Sequence, residues 1–316
     1  MSKYSFLVPT YKNKYLEESI QSILAQTYDD FTLIISNDNS PHDIESVVNN
    51  YRDNRVVYTK NKKNFGGERL VKHWNKLVYE CQSEYLIMAS DDDIYDSRFL
   101  EEIDMLTTKY PDSDVIRARV QRINNRGDVI AKEDIFDEFQ SEIEAIRGLI
   151  CGNTIGCIGN YVFKTDALKR VGGFIDFPYA WFSDMATVIA MDKNGQANTS
   201  KILFSFRLSG ENISTKDRHK GIELGKLKAT IAFDKWMSEY IVDIKHSSTL
   251  HQFFFNEILS CYKHRVYGQA GDYSWAIPIW TWPKIYQRFK QNKYFFKLSF
   301  FKFFAIAVLN RWFNKF

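Results

Sequence analysis

The first hundred residues alternate between short apolar runs and amphipathic stretches, at a spacing that leaves few folds open. "YSFLVPTY" is an apolar run ended by Pro9, and "KYLEESIQSILAQTY" places Leu16, Ile20, Ile23 and Leu24 on one helical stripe. "FTLIISND" reads as a second strand, "DIESVVNNYR" as a helix, "RVVYTKN" as a strand and "NFGGERL" as a glycine turn. "RLVKHWNKLVYECQ" is again helical, and "EYLIMAS" is a further buried strand. This alternation predicts an α/β fold, a parallel sheet with helices on both faces. Ligands of such sheets sit at the carboxyl ends of the strands, and "PTYK", "SNDNS" and "SDDD" all fall at such ends.

Beyond about residue 115 the pattern loosens. "DVIRARVQRINNRGDVI" predicts a hairpin around Asn125–Asp128, and "IGNYVFKTDALKRVGGFID" a strand, a helix and a glycine stop. "WFSDMATVIAMDKNG" predicts a helix closed by Gly195. After about residue 216 the chain reads as mainly helical, so a boundary is expected near 215, with 216–316 a helical C-terminal region. Hydrophobic content of 45% and charged content of 26% are those of a globular protein. The four cysteines form no CxxC pair and no zinc spacing with the six histidines, which themselves show no paired-ligand spacing, so reduced and mostly buried thiols are expected. The apolar start of "MSKYSFLVPTY" is far shorter than a signal-peptide core. No run reaches the roughly 18–20 uncharged apolar residues of a membrane span.

Three like charges in a row, Asp91, Asp92 and Asp93, repel one another unless something offsets them. Two readings fit the run alone. It suits a hard divalent cation, which prefers oxygen ligands and often shares them with substrate phosphates. It also suits the acidic first turn of the helix that "DSRFLEEID" predicts. Asp38, after the second strand, stands where a carboxylate accepts hydrogen bonds from a base or ribose, or where an Asx-turn forms. "VPTYK" carries neither GxGxxG nor a Walker motif, and "NFGG" with Gly66 is alone a weak phosphate-loop signal.

Taken together and in order, "VPTY", "SILAQTY", "SNDNS" and "SDDDIY" resemble the family-2 glycosyltransferases of the bacterial surface-polysaccharide type, over roughly residues 3–215. The resemblance implies a GT-A fold: a Rossmann-like mixed sheet flanked by helices, with a nucleotide-sugar half to about 115 and an acceptor half over 116–215. It implies an inverting, metal-dependent enzyme that takes a nucleotide-diphospho-sugar as donor. Pro9, Thr10 and Tyr11 would then line the nucleotide and Asp38 its base. In the family's DXD motif one carboxylate approaches the ribose and another holds Mn²⁺ or Mg²⁺ on the diphosphate. Those roles carry over to Asp91 and Asp92, with Asp93 in support. Here Ser90 stands where many relatives have Asp, and Lys12 where many have Asn.

An inverting transferase needs one general base to take the acceptor proton. In relatives it lies in an (E/S/G)D pair before a helix, which here points to Asp184 in "YAWFSDMATVIAM", with Asp176 as competitor. Tyr179 and Trp181 would stack on an acceptor sugar or belong to the core. Arg207, in "FRLSGENIS", is placed by the same resemblance near the diphosphate.

The tail "WTWPKIYQRFKQNKYFFKLSFFKFFAIAVLNRWFNKF" interleaves aromatics with cations. Eight basic and no acidic residues follow Pro283, although the whole chain carries only +3. Such a composition fits a helix lying on an anionic membrane surface, or an aromatic face packed on the protein; nucleic acid is not expected as a partner. The sequence thus predicts a glycosyltransferase acting on a lipid-linked glycan acceptor, peripheral to the inner face of the plasma membrane. A sugar-nucleotide pyrophosphorylase would need a glycine-rich N-terminal loop that "LVPTYKNKY" lacks, and an inactive binding relative would not need Asp38, Asp91–Asp93 and Asp184 together.

Overall fold

The computed structural model describes residues 1–152, 154–210, 212, 219–247, 249–302 and 304–305, without the side chains of 242–253 and 275. β1 (Tyr4–Thr10), α1 (Leu16–Leu24), β2 (Phe31–Asn37), α2 (Ile44–Asn49), β3 (Val56–Lys60), α3 (Leu70–Glu80) and β4 (Tyr85–Met88) alternate as the sequence predicts. β1 pairs in parallel with β2 on one side and β4 on the other, and β2 continues to β3.

The parallel arrangement stops at β4. There follow β5 (Ile94–Tyr95), α4 (Phe99–Lys109), β6 (Val115–Ile123), β7 (Val129–Lys132), β8 (Phe139–Gln140), α5 (Glu142–Cys151), β9 (Tyr161–Lys164), α6 (Thr165–Arg170), α7 (Ser183–Met191) and β10 (Gln196–Arg207). β9 inserts antiparallel between β4 and β6, while β10 runs parallel to β6 and carries β5 at the edge. β6 and β7 form the expected hairpin across Asn124–Asp128, and β8 pairs with β10. The sheet is therefore mixed, in the order β3-β2-β1-β4-β9-β6-β10-β5.

Period-two alternation sorts each strand between two cores. Tyr4, Phe6 and Val8 face α1, α2 and α4, whereas Leu7, Leu86 and Met88 join Val71, Trp74 and Leu77 of α3. Burial on both faces explains why the strands read as unbroken apolar runs.

The second core does not end at β10. It continues through Phe182 and Met185 into α8 (Lys220–Ser247), α9 (Thr249–Tyr273) and α10 (Trp282–Lys290), then to Phe300 and Phe304. A buried polar network fixes how these helices meet. Asp234 Oδ1 accepts from Tyr262 Oη at 2.6 Å and Lys263 Nζ at 3.0 Å, and its Oδ2 accepts from Asn292 Nδ2 at 2.8 Å. Burial draws the Lys263 ammonium down to about 8 while Asp234 pulls it back up. Such a network is satisfied in one register and unsatisfied in others.

Gly195 separates the turn after α7 from β10 at φ 81°, as the sequence predicts. A Cβ there would lie 2.5 Å from the Phe139 ring and 2.7 Å from the Gln140 carbonyl oxygen. Gly195→Ala is expected to destabilise the protein by about 2–3 kcal/mol, through strain and overpacking. Urea denaturation monitored by far-UV circular dichroism measures it.

Candidate active site

The carboxyl ends of β1, β2 and β4 meet at one lip of the sheet, and each brings its polar cluster. Asp38, just past β2, is 6% exposed and organises the loop that crosses above it. Its Oδ1 accepts from Asn61 Nδ2 (3.1 Å) and the Phe65 N–H (3.0 Å), and its Oδ2 from the Phe65 and Gly66 N–H groups (3.1 and 3.3 Å). Gly66 makes the turn at φ 72°. His73 of α3 supports the same loop. Its Nε2 meets Ser36 Oγ at 2.8 Å and accepts from Asn61 Nδ2 at 3.1 Å, and its ring stacks on Phe65 at 5.3 Å. Burial depresses its pKa to about 4, so the ring is neutral near pH 7. With Nε2 accepting, the ring proton lies on Nδ1, 3.9 Å from Asp38 Oδ1. Sequence reasoning missed both His73 and Asn61. The available signal was a histidine one turn before Leu77 on the buried face of an otherwise apolar stripe.

At the end of β1, Pro9 is half-buried. Thr10 is fully buried, with its Oγ1 donating to the Val8 carbonyl at 3.1 Å. Tyr11 is 43% exposed, so of these three it is the side chain open to a ligand. The Tyr11 and Lys12 N–H groups donate to Asp91 Oδ2 at 3.1 and 3.0 Å, which ties β1 to the segment after β4.

The three aspartates are in three different situations. Burial raises the Asp91 carboxyl, and those two N–H groups draw it back. Asp92 is pushed up to about 6 by burial and then by the charge of Asp91, against the pull of Lys12. Its Oδ2 lies 3.2 Å from Ser209 Oγ and 3.3 Å from Asn212 Nδ2. Asp93 is 1% exposed and its Oδ1 accepts from the Arg207 N–H at 2.8 Å. Burial, then the neighbouring Asp92, raises its pKa well above the ordinary value. Asp93 thus braces the loop from within, and Asp92 meets its donors at longer range, 3.2 and 3.3 Å, than Asp91 at 3.0 and 3.1 Å or Asp93 at 2.8 Å.

Arg207 lies close to the aspartates and is engaged with the fold. Its Nε donates to the Asp92 carbonyl oxygen at 2.8 Å and its Nη2 to Glu18 Oε2 at 2.5 Å. The guanidinium also covers the Tyr15 ring at 4.4 Å, leaving the residue 1% exposed. It fastens the aspartate loop to β10 and α1.

Asp184 opens α7, partly exposed, with its Oδ1 accepting from the Met185 N–H at 2.7 Å. Burial raises its pKa, its own turn of backbone lowers it, and the charge of Arg265 on α9 lowers it further. The Cys157 thiol is pushed up by burial, then by Asp93, and also by Asp184. Asp93 and Asp184 thus both lie within electrostatic reach of that buried thiol. Asp176, the competing candidate, is exposed. The carboxylate oxygens of Asp91, Asp92 and Asp93 are of the kind a hard cation prefers. Among the described residues no group of three or more His, Cys, Asp or Glu side chains is arranged to hold a metal unaided.

The family model described as "Glycosyl transferase family 2" matches residues 5–172, just over half of the chain. An uncharacterized glycosyltransferase of Methanocaldococcus jannaschii is 31% identical over 131 residues, 40% of this chain and 44% of that protein. The GalNAc(5)-diNAcBac-PP-undecaprenol beta-1,3-glucosyltransferase of Campylobacter jejuni is 35% identical over 96 residues, 29% of this chain and 30% of that one. The match thus spans less than half the length of either relative. Among solved structures, Staphylococcus aureus TarS 1–349 in complex with UDP-GlcNAc superposes with a TM-score of 0.66 at 17% identity, over 99% of this chain and 92% of that chain. The mannosyltransferase PcManGT of Pyrobaculum calidifontis, in complex with GDP-Man and Mn²⁺, gives 0.57 at 13% identity, over 100% and 88%. At these identities the likeness concerns the fold, which is of the GT-A class with a helical C-terminal region.

Replacing Arg207 by Met removes two charge-assisted hydrogen bonds and a ring contact while leaving Glu18 solvated. Arg207→Met is expected to cost about 1–3 kcal/mol of stability, read from the midpoint of urea unfolding.

Proposed function

The chain belongs to glycosyl transferase family 2, and from that premise we propose that it moves a sugar from a nucleotide-diphospho-sugar to a glycan hydroxyl with inversion at the anomeric carbon. The observation that carries this reading is the run of buried carboxyls at the lip of the sheet, with Asp91 tied to the end of β1 by the Tyr11 and Lys12 N–H groups and Asp92 pushed up to about 6 by burial and by Asp91. Tyr11 and the loop anchored on Asp38, including Gly66, form the nucleotide side. Asp92, which is costly to ionise alone, is suited to a divalent cation, Mn²⁺ or Mg²⁺, with the diphosphate completing the coordination and Asp91 and Asp93 holding the loop. When bound, that ion would offset the charge of the departing diphosphate.

Asp184 takes the proton of the acceptor hydroxyl as its oxygen attacks the anomeric carbon, and the nucleoside diphosphate leaves from the opposite face. Burial lifts its pKa above the ordinary 3.8, which strengthens it as a base. The rate should therefore rise with pH through a value above 3.8, as the carboxylate ionises. The C. jejuni relative is named for an undecaprenol-linked substrate, which supports a lipid-linked glycan as acceptor, in polysaccharide synthesis such as that of O-antigen or capsule.

The test is calorimetric titration of UDP, dTDP, GDP and CDP, each with and without Mn²⁺. One nucleotide is expected to bind in a metal-dependent way, at least tenfold more weakly in Asp92→Ala. Asp184→Asn should bind that nucleotide like the wild type and lose transfer. A protein that binds none of the four leaves the family fold without the activity.

We also propose that the protein lies on the inner membrane face through the surface after α9. No helix among the described residues is long and apolar enough to cross a membrane. Ile279, Trp280, Phe296, Leu298 and Phe301 are nonetheless exposed, Trp280 at 78% and Leu298 at 88%, beside exposed Lys284, Arg288, Lys290, Lys293, Lys297 and Lys302. This mixture suits an anionic interface. The end of the apolar stretch, residues 306–309, with Arg311 and Lys315, lies outside the described residues. Ile285, Phe289, Phe300 and Phe304 are buried, so truncation at Pro283 would open the core. Point substitution is the cleaner probe. Trp280→Glu with Leu298→Glu should weaken flotation with phosphatidylglycerol vesicles at least tenfold; equal flotation of both proteins would refute membrane contact there.

A further inference from the structure

The segment leading into Asp184 is held in a backbone that side chains avoid. Tyr179, Ala180 and Phe182 have φ of 59°, 54° and 69°. Residues persist in this left-handed region only where their surroundings over-determine them. Those surroundings are mostly α8 and α9. The Tyr179 ring lies so close to Gly225 of α8 that any Cβ there would overlap it. Trp181 Nε1 donates to Gln269 Oε1 of α9 at 2.8 Å, and the Trp181 ring receives the Lys226 ammonium at 4.8 Å. Phe182 stacks face to face on Phe233 of α8, with centroids 4.3 Å apart and planes 3° from parallel.

The residues before the turn are fixed to α7. The Phe177 N–H donates to Ser183 Oγ at 3.1 Å, and the Ile175 N–H to Thr187 Oγ1 at 2.9 Å. The turn also packs against Gly67–Arg69, which follows the Asp38 loop. A relaxed turn would swing the peptide of Phe182, two residues from Asp184, and displace the start of α7.

We propose that Gly225, Phe233 and Gln269 are positioning residues for sugar transfer: through them α8 and α9 hold the 179–182 turn in its left-handed form and so set where Asp184 stands. This rests on Asp184 being the base. The acceptor oxygen must be met within a fraction of an ångström, and a displacement of about 1 Å costs up to about 100-fold in rate. The helical region thereby belongs to the catalytic apparatus, and Gly225 is the one residue type that admits the Tyr179 ring.

The experiment uses the full chain and water as acceptor. Release of nucleoside diphosphate is followed from whichever of UDP-GlcNAc, UDP-glucose and GDP-mannose, with Mn²⁺, is hydrolysed fastest. Gly225→Ala is expected to lower kcat about 10- to 100-fold, to change nucleotide affinity less than twofold, and to shift the acidic limb of the pH–rate profile. In a Tyr179→Gly background the same substitution should cost less than twofold, because the ring it displaces is gone. Gln269→Ala, which adds no bulk, should lower kcat in the same direction and serves if Gly225→Ala fails to fold. Undiminished kcat in both variants, with Asp184→Asn inactive, overturns the positioning role alone, as does an equal loss in the Tyr179→Gly background. An active Asp184→Asn overturns the base and the positioning role together.

Discussion

Three adjacent carboxyls withdrawn from water at the end of β4 are the arrangement on which the rest of the lip depends. Desolvation opposes their ionisation and so does each neighbour's charge. The chain answers with N–H donors from the end of β1, with Arg207 from β10, and with polar side chains at Ser209 and Asn212. Those donors come from sequence positions far apart, so meeting the electrostatic demand also fixes where β1, β4 and β10 lie relative to one another. The parallel half of the sheet and the edge carrying β10 are held together where the chemistry is proposed to occur.

Asp38 has a similar role at the end of β2. A carboxylate that accepts from Asn61, Phe65 and Gly66 gives the loop its shape, with neutral His73 behind it. Loop and carboxylate therefore form one unit, and a nucleotide recognised there would be read by backbone and side chain together.

Much of this was legible in the sequence because it rests on local periodicity. The first four strands, the Asn124–Asp128 hairpin and the Gly195 stop follow from apolar spacing and turn chemistry. The antiparallel insertion of β9 between β4 and β6 was not legible, since pairing partners leave no mark in a four-residue apolar run. Asp91, Asp92 and Asp184 stood out as residue types at strand and helix ends. The engagement of Arg207 with Glu18 and Tyr15 did not, because Arg207 and Glu18 lie 189 residues apart in the chain. The tail shows the limit most clearly. Its composition suited both burial and exposure, and the fold uses both, burying Phe289, Phe300 and Phe304 while leaving Trp280 and Leu298 outside.

Asn292 roots that tail in the Asp234 network, alongside Tyr262 and Lys263. A segment sewn in this way has no swivel at its base. If those exposed residues meet a membrane as proposed, the surface meets a side of the fold tied to α8 and α9, which sets the height of the proposed active site above it. The protein would then act as a ruler, favouring substrates whose reactive end stands at one distance from the surface over longer or shorter ones of the same chemistry.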